Sequence, residues 1–202
     1  MLKEIRPALV LVVLLAALTG LAYPLAMTGL AQVLFPDKAK GSLVSRNGMV
    51  IGSALIGQAF TSERYFHGRP SATTAADPAD ATKTVAAPYN ASNSMGSNLG
   101  PTNPALAERV KADLAALQAE NPGVPVPIDL VTTSGSGLDP DISVEAALFQ
   151  VPRIAKARGL SPDMVRQVVE RTAEDRTFGV IGEPRVNVLE LNLALDRIGG
   201  QS

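Results

Sequence analysis

The chain has one histidine, His67, and no cysteine, so its candidates for chemistry are few. Ser134-Gly135-Ser136-Gly137 suggests a nucleophile, because a serine on a sharp, glycine-flanked turn can face a substrate carbonyl. The Gly-x-Ser-x-Gly pattern is not met, since Ser134 occupies the place two before Ser136 that glycine should hold. A serine–histidine pair would also have to use His67, and the glycines are read instead as permitting a tight turn. A lone histidine without cysteine excludes the usual zinc clusters, and His67 is expected as a hydrogen-bonding residue of a turn. Asp139 and Asp141 offer oxygens for a hard cation but also suit the capping of the helix that follows. Arg153, Lys156 and Arg158 cluster near a helix carboxyl end, where a solvated basic face complements the dipole; an acidic partner surface is the alternative. The phosphate loop Gly-x-x-x-x-Gly-Lys-Ser/Thr occurs nowhere.

The elements that must position these residues divide at the amino end. Pro7 to Phe35 is a run of 29 residues without Asp, Glu, Lys or Arg. As a helix it would rise ~43 Å, more than the ~30 Å hydrocarbon core requires. The reading is one transmembrane helix over about 8–34 within an anchor at 1–36, followed by one soluble α+β domain at 37–202. The same beginning also fits a cleavable signal peptide, with Gly20-Leu21-Ala22 as a small-x-small site. Retention is preferred because the apolar run continues to Phe35. Ala16 and Gly20 form a small-x-x-x-small pair that lets another helix approach closely. Beyond the anchor, 16 basic side chains stand against 18 acidic ones, a balance that argues against a nucleic-acid partner. Charge on the two flanks of the helix does not decide orientation. A short basic amino terminus staying inside favours an extracytoplasmic soluble domain.

Along the soluble chain, Ser42 to Phe60 reads as a β-hairpin turning at Asn47-Gly48. The Ala/Ser/Thr/Asn-rich stretch 72–104 reads as a long functional or mobile loop. Asn103-Pro104 caps and opens a helix that places Leu106, Val110, Leu114 and Leu117 on one face. Pro127 to Val131 is expected as a short strand. Ser143 caps a helix that Pro152 should break or kink and Gly159 should close. Ser161-Pro162 opens another helix, and the last follows Asn187 with Val188, Leu191, Leu195 and Ile198 in one stripe.

Five separated segments carry a resemblance. Tyr65-Phe-His-Gly-Arg-Pro-Ser71, Gly96-Ser-Asn-Leu-Gly-Pro-Thr-Asn103, Ser134-Gly-Ser-Gly-Leu-Asp-Pro140, Gln150-Val-Pro-Arg-Ile-Ala-Lys-Ala-Arg-Gly159 and Phe178-Gly-Val-Ile-Gly-Glu-Pro-Arg-Val-Asn-Val188 closely resemble the C subunit of the bacterial Kdp potassium-transporting ATPase. The resemblance spans nearly the whole chain in order. It implies a non-catalytic accessory subunit of an ATP-driven high-affinity potassium uptake complex in the bacterial inner membrane. The implied partners are a channel-like potassium-translocating subunit, a P-type ATPase subunit and a small stabilising subunit. The implied role is assembly of the complex and that of a catalytic chaperone raising the ATP affinity of the ATPase subunit. No cofactor of its own is implied, and ATP is expected only through the complex, with Gln150 as the residue that the resemblance links to it. The chain departs from the family pattern at Met95, where glycine is usual, and at Asp141, where histidine is usual. An outward-facing domain would also leave Gln150 across the membrane from ATP. A secreted or membrane-anchored extracytoplasmic binding protein unrelated to ATP is the rival reading.

Overall fold

The computed structural model describes residues 2–199. The chain falls into two compact units that meet in sequence between Ser53 and Ala54.

The first unit is dominated by a single apolar helical span, Lys3–Leu34, the one helix among the described residues long and apolar enough to cross a membrane. It consists of α1 (Leu2–Ala17), a π-helical turn (Leu18–Ala22) and α2 (Tyr23–Leu34). The wide turn has a local cause. Pro24 has no N–H for the Gly20 carbonyl, and its ring would press on that carbonyl in a regular α-helix; one widened turn accommodates the misfit. The Tyr23 N–H bonds the Leu18 carbonyl, and the Thr19 hydroxyl donates to Leu15 O at 2.7 Å. After the short α3 (Pro36–Ala39), β1 (Leu43–Arg46) and β2 (Met49–Ser53) pair antiparallel. Their turn is Asn47-Gly48, with φ of +53° and +79°. Both central residues of this hairpin turn require positive φ, which Asn and Gly supply at least strain. The hairpin ends at Ser53 and does not run on to Phe60.

The second unit holds β3 (Thr74–Ala76), β4 (Thr84–Ala86), α4 (Pro104–Glu120), β5 (Asp141–Ser143), α5 (Val144–Arg158), α6 (Pro162–Thr172), β6 (Arg185–Asn187) and α7 (Val188–Gly199). β3 pairs with β4 and β5 with β6, both antiparallel. The core gathers the inward faces of α5, α6 and α7, with Ile154, Val165, Val169, Leu191 and Leu195 fully buried, and adds Phe66 and the β5–β6 pair. The architecture is α+β, as the sequence indicated.

Helix boundaries follow their caps. Asn103, Ser143 and Ser161 each accept a backbone N–H from the first turn of α4, α5 and α6, and Gly159 closes α5 at φ +66°. One expectation fails, and of the break or kink expected at Pro152 the break is absent. Pro127 to Val131 is not a strand: Ile128–Leu130 is a single 3-10 turn, shaped by Asp129, whose carboxylate accepts from Ser143 N at 2.7 Å and Ser143 Oγ at 3.1 Å. Pro152 does not break α5, which runs as one helix through it, because the burial of Phe149, Val151, Ile154 and Ala155 on either side outweighs one missing backbone bond. The stretch 72–104 is also more structured than expected. Besides the β3–β4 hairpin it is fastened by side chains, with Tyr89 N donating to Ser71 Oγ, Asn90 N to Thr73 Oγ1 and Asn90 Nδ2 to Thr74 O. The Tyr89 hydroxyl donates to Arg69 O at 2.7 Å, and burial pushes its pKa up to about 12.

Candidate functional site

Gln150, on the buried face of α5, is 2 % exposed. Its Oε1 accepts from His67 N at 2.8 Å and from Arg153 Nη2 at 2.8 Å. Its Nε2 donates to His67 O at 3.1 Å and to Ala146 O at 3.2 Å. A primary amide has two N–H donors and two acceptor lone pairs, so the group is fully committed. Asn192 on α7, equally buried, repeats the arrangement one residue earlier: Oδ1 accepts from Phe66 N at 2.8 Å and Nδ2 donates to Phe66 O at 3.0 Å. The two side-chain amides thus do for Phe66 and His67 what a neighbouring strand would do, satisfying both backbone polar groups of each residue. Between them the Phe66 ring is sealed in the core.

Two arginines complete the clamp. Arg153 pairs with Glu120 at 2.8 Å and donates to Glu63 O and Tyr65 O. Arg158 pairs with Asp196 at 2.9 Å, donates to Arg64 O, and lies 4.8 Å from the centre of the Tyr65 ring. Their side chains are 10 % and 4 % exposed, so the expected solvated basic face is corrected. Only Lys156 of the three is exposed. The carbonyls of the chain entering the clamp require donors, and α5 supplies guanidiniums to meet them. His67 makes hydrogen bonds as expected but lies past the Glu63–Arg64 turn, in chain without regular secondary structure, its Nε2 3.0 Å from Ser62 O. Its pKa is lowered, first by burial and then by the nearby Arg153 charge.

The other candidates do not assemble into a catalytic site. Ser136 Oγ accepts from Leu138 N and Ser134 Oγ from Gly137 N, so both hydroxyls shape their own turn, while His67 is engaged with Ser62. Gly137 has φ +66°, and a Cβ there would lie 2.5 Å from Met95 O; this position demands glycine. Asp139 pairs with Arg69 at 2.9 Å and accepts from Asp141 N. Asp141 pairs with Arg185 at 3.0 Å, and burial raises its pKa against that pairing. Neither caps α5, a task that falls to Ser143. Among the described residues no group of three or more His, Cys, Asp or Glu is arranged to hold a metal.

Gln150 is the residue that the resemblance links to ATP, and the structure places it in this amide clamp. The cavity beside it is about 240 Å³ and is lined by Asp113 and Glu120 as well as His67. That lies below the roughly 300–1,000 Å³ of small-molecule pockets, and its carboxylates oppose a triphosphate. In the first unit, Ala16 and Gly20 are exposed on the apolar helix, and a Cβ at Gly20 would meet nothing within 4 Å.

Asn192 escaped the sequence reading, although a polar residue between Leu191 and Leu195 in a buried stripe was a usable signal. Arg158 was read as solvated because its partners lie 38 and 94 residues away.

Comparison with known proteins draws these segments together. The profile of the KdpC family, described as K+-transporting ATPase, c chain, matches residues 5–197. The chain is 73 % identical over 195 residues to the potassium-transporting ATPase KdpC subunit of Methylorubrum extorquens, covering 96 % of this chain and 97 % of that one. It is 70 % identical to the protein of that description from Methylobacterium nodulans, over the full length of both, and 70 % identical to one from Rhodopseudomonas palustris, over 97 % and 98 %.

Proposed function

The chain belongs to the KdpC family, the c chain of K+-transporting ATPases, and from that premise we propose that it is a non-catalytic accessory subunit of an ATP-driven high-affinity potassium uptake complex. It sits in the bacterial inner membrane as a single-pass protein with its second unit outside the cytoplasm. Its partners are the channel-like potassium-translocating subunit, the P-type ATPase subunit and the small stabilising subunit, and it holds that assembly together. The Ala16/Gly20 face of the anchor packs on a partner helix. Gly20→Leu should therefore lower co-purification with the other subunits, and unchanged co-purification would remove that face from the account.

The observation that carries the reading is the full commitment of the Gln150 amide. An amide that bonds four protein atoms has none left for an adenine or ribose. The effect on ATP affinity is therefore indirect: the subunit binds one conformation of the ATPase partner more tightly than another, and the partner alone touches nucleotide. Because the chain has no cysteine, a single Glu170→Cys on the exposed face of α6 gives a clean topology probe. A membrane-impermeant thiol reagent should label it in intact cells, and the purified full chain should show no saturable ATP binding. Labelling only after lysis, with saturable ATP binding lost in Gln150→Ala, would overturn the proposal.

A further inference from the structure

Between α6 and β6 the chain makes a hairpin closed by backbone bonding between Glu174 and Arg185 and between Thr177 and Ile181. Its tip leaves Phe178 89 %, Val180 75 % and Ile181 61 % exposed. No charged residue lies between Arg176 and Glu183, which pair with each other across the neck. The tip is a built turn: Thr177 N bonds Ile181 O, Ile181 N and Val180 N bond Thr177 O, and Gly179 N bonds Arg176 O. Phe178 and Gly179 have φ of +55° and +74°, the signs found at Asn47-Gly48. Asn is favoured at the first of these positions and an aromatic residue is a conformational outlier there. The fold gains nothing visible from this choice, since the ring is bare and absent from the core. An outlier that holds apolar side chains in water at a cost to the isolated chain points to an outside contact.

The base of the hairpin supplies a second observation. Glu183, Pro184 and Arg185 form one wall of an open cleft of about 730 Å³, whose lining carries five carboxylates against two guanidiniums, with Ile128 among its apolar members. Ile128 is itself 76 % exposed. Glu183 thus belongs both to the neck of the apolar tip and to the wall of the acidic cleft.

We propose that this surface docks on a partner subunit of the complex, Phe178, Val180 and Ile181 entering an apolar socket while lysine or arginine side chains beside the socket enter the acidic cleft. The proposal rests on the family reading, which makes the chain one subunit among several. Charge selects this occupant over two others. An anionic lipid surface would be repelled by the excess of carboxylates. A second copy docking face to face would set the same acidic cleft against itself. Three side chains are too few for a stable interface alone, but the membrane anchor holds the surface near its target and raises the effective concentration.

The test uses the full chain co-expressed with its complex. Phe178→Asn with Val180→Thr and Ile181→Thr keeps a residue suited to positive φ, so the fold should survive and thermal unfolding should occur at an unchanged or higher temperature. Co-purification of the other subunits should fall about tenfold or more, as expected for losing central apolar anchors. A photoreactive phenylalanine analogue at position 178 should cross-link to a partner subunit near a Lys or Arg. Undiminished co-purification by the triple variant overturns the docking surface and leaves the family reading standing. Failure of the wild-type chain to co-purify overturns both. Cross-linking only to lipid overturns it in favour of a bilayer contact; cross-linking only to a second copy does so in favour of self-association.

Discussion

The Tyr65–His67 segment and the Thr177–Gly182 tip invert the usual distribution of polarity in opposite senses. The first buries two amides and two guanidiniums; the second exposes three apolar side chains. The buried inversion is closed: the Gln150 and Asn192 amides and the backbone of Phe66 and His67 satisfy one another within the unit. The exposed inversion is open, with its backbone bonded internally and its side chains bare. A closed inversion specifies a fold, whereas an open one specifies something outside it. Gln150, which the resemblance linked to a ligand, has its amide bonded within the fold, whereas the hairpin tip, read in the sequence only as part of a resemblance segment, is the surface proposed to meet a partner.

That contrast can be broken most directly at the clamp. Asn192→Ala or Gln150→Ala leaves a buried N–H and a buried C=O unpaired, and each should lower unfolding stability by about 2–4 kcal/mol in urea titrations of the full chain. A loss below about 1 kcal/mol would mean that water reaches the segment and that the inversion is not closed. At the tip the sign should reverse. Phe178→Asn alone should leave stability unchanged or raise it by up to about 1 kcal/mol, because Asn tolerates the left-handed backbone better; a clear loss would make Phe178 part of the fold. The smallest effect concerns His67, which links the clamp to Ser62. Its lowered pKa means that the folded state disfavours the charged ring. The contribution is fully present above the unfolded value of 6.5 and is lost as pH falls through that value toward the lower folded one. His67→Gln should flatten the decline in urea midpoint between about pH 7.5 and about 5.5, and an unaltered slope would place the pH sensitivity elsewhere.

What could be read from the sequence was local. Asn103, Ser143, Ser161 and Gly159 act within one helical turn of themselves, so their caps were visible as residue types. Asn47-Gly48 announced its turn for the same reason. The acyclic logic of spacing failed where distant groups intervened. Asp129 turns an expected strand into a 3-10 turn by reaching Ser143, 14 residues on. Arg153 and Arg158, read as a solvated face, are drawn inward by carbonyls about 90 residues upstream. The β3–β4 hairpin went unseen because Ala and Thr give little alternation of polarity to detect. The segment motifs around Gln150 were recognised, but what that amide bonds to follows only from the folded chain.

The clamp also imposes an order in time. Phe66 waits for Asn192, 126 residues downstream, and His67 waits for Gln150, 83 residues downstream. During synthesis the segment next to the first unit therefore emerges long before the two side chains that fix it, and contacts of such separation close late. Until α7 is complete, the Phe66 backbone lacks the Asn192 amide and the core lacks Leu191 and Leu195. A chain cut short before Asn192 would keep the Lys3–Leu34 apolar helix but lack the amide that fixes Phe66, so α7 is needed to close the second unit.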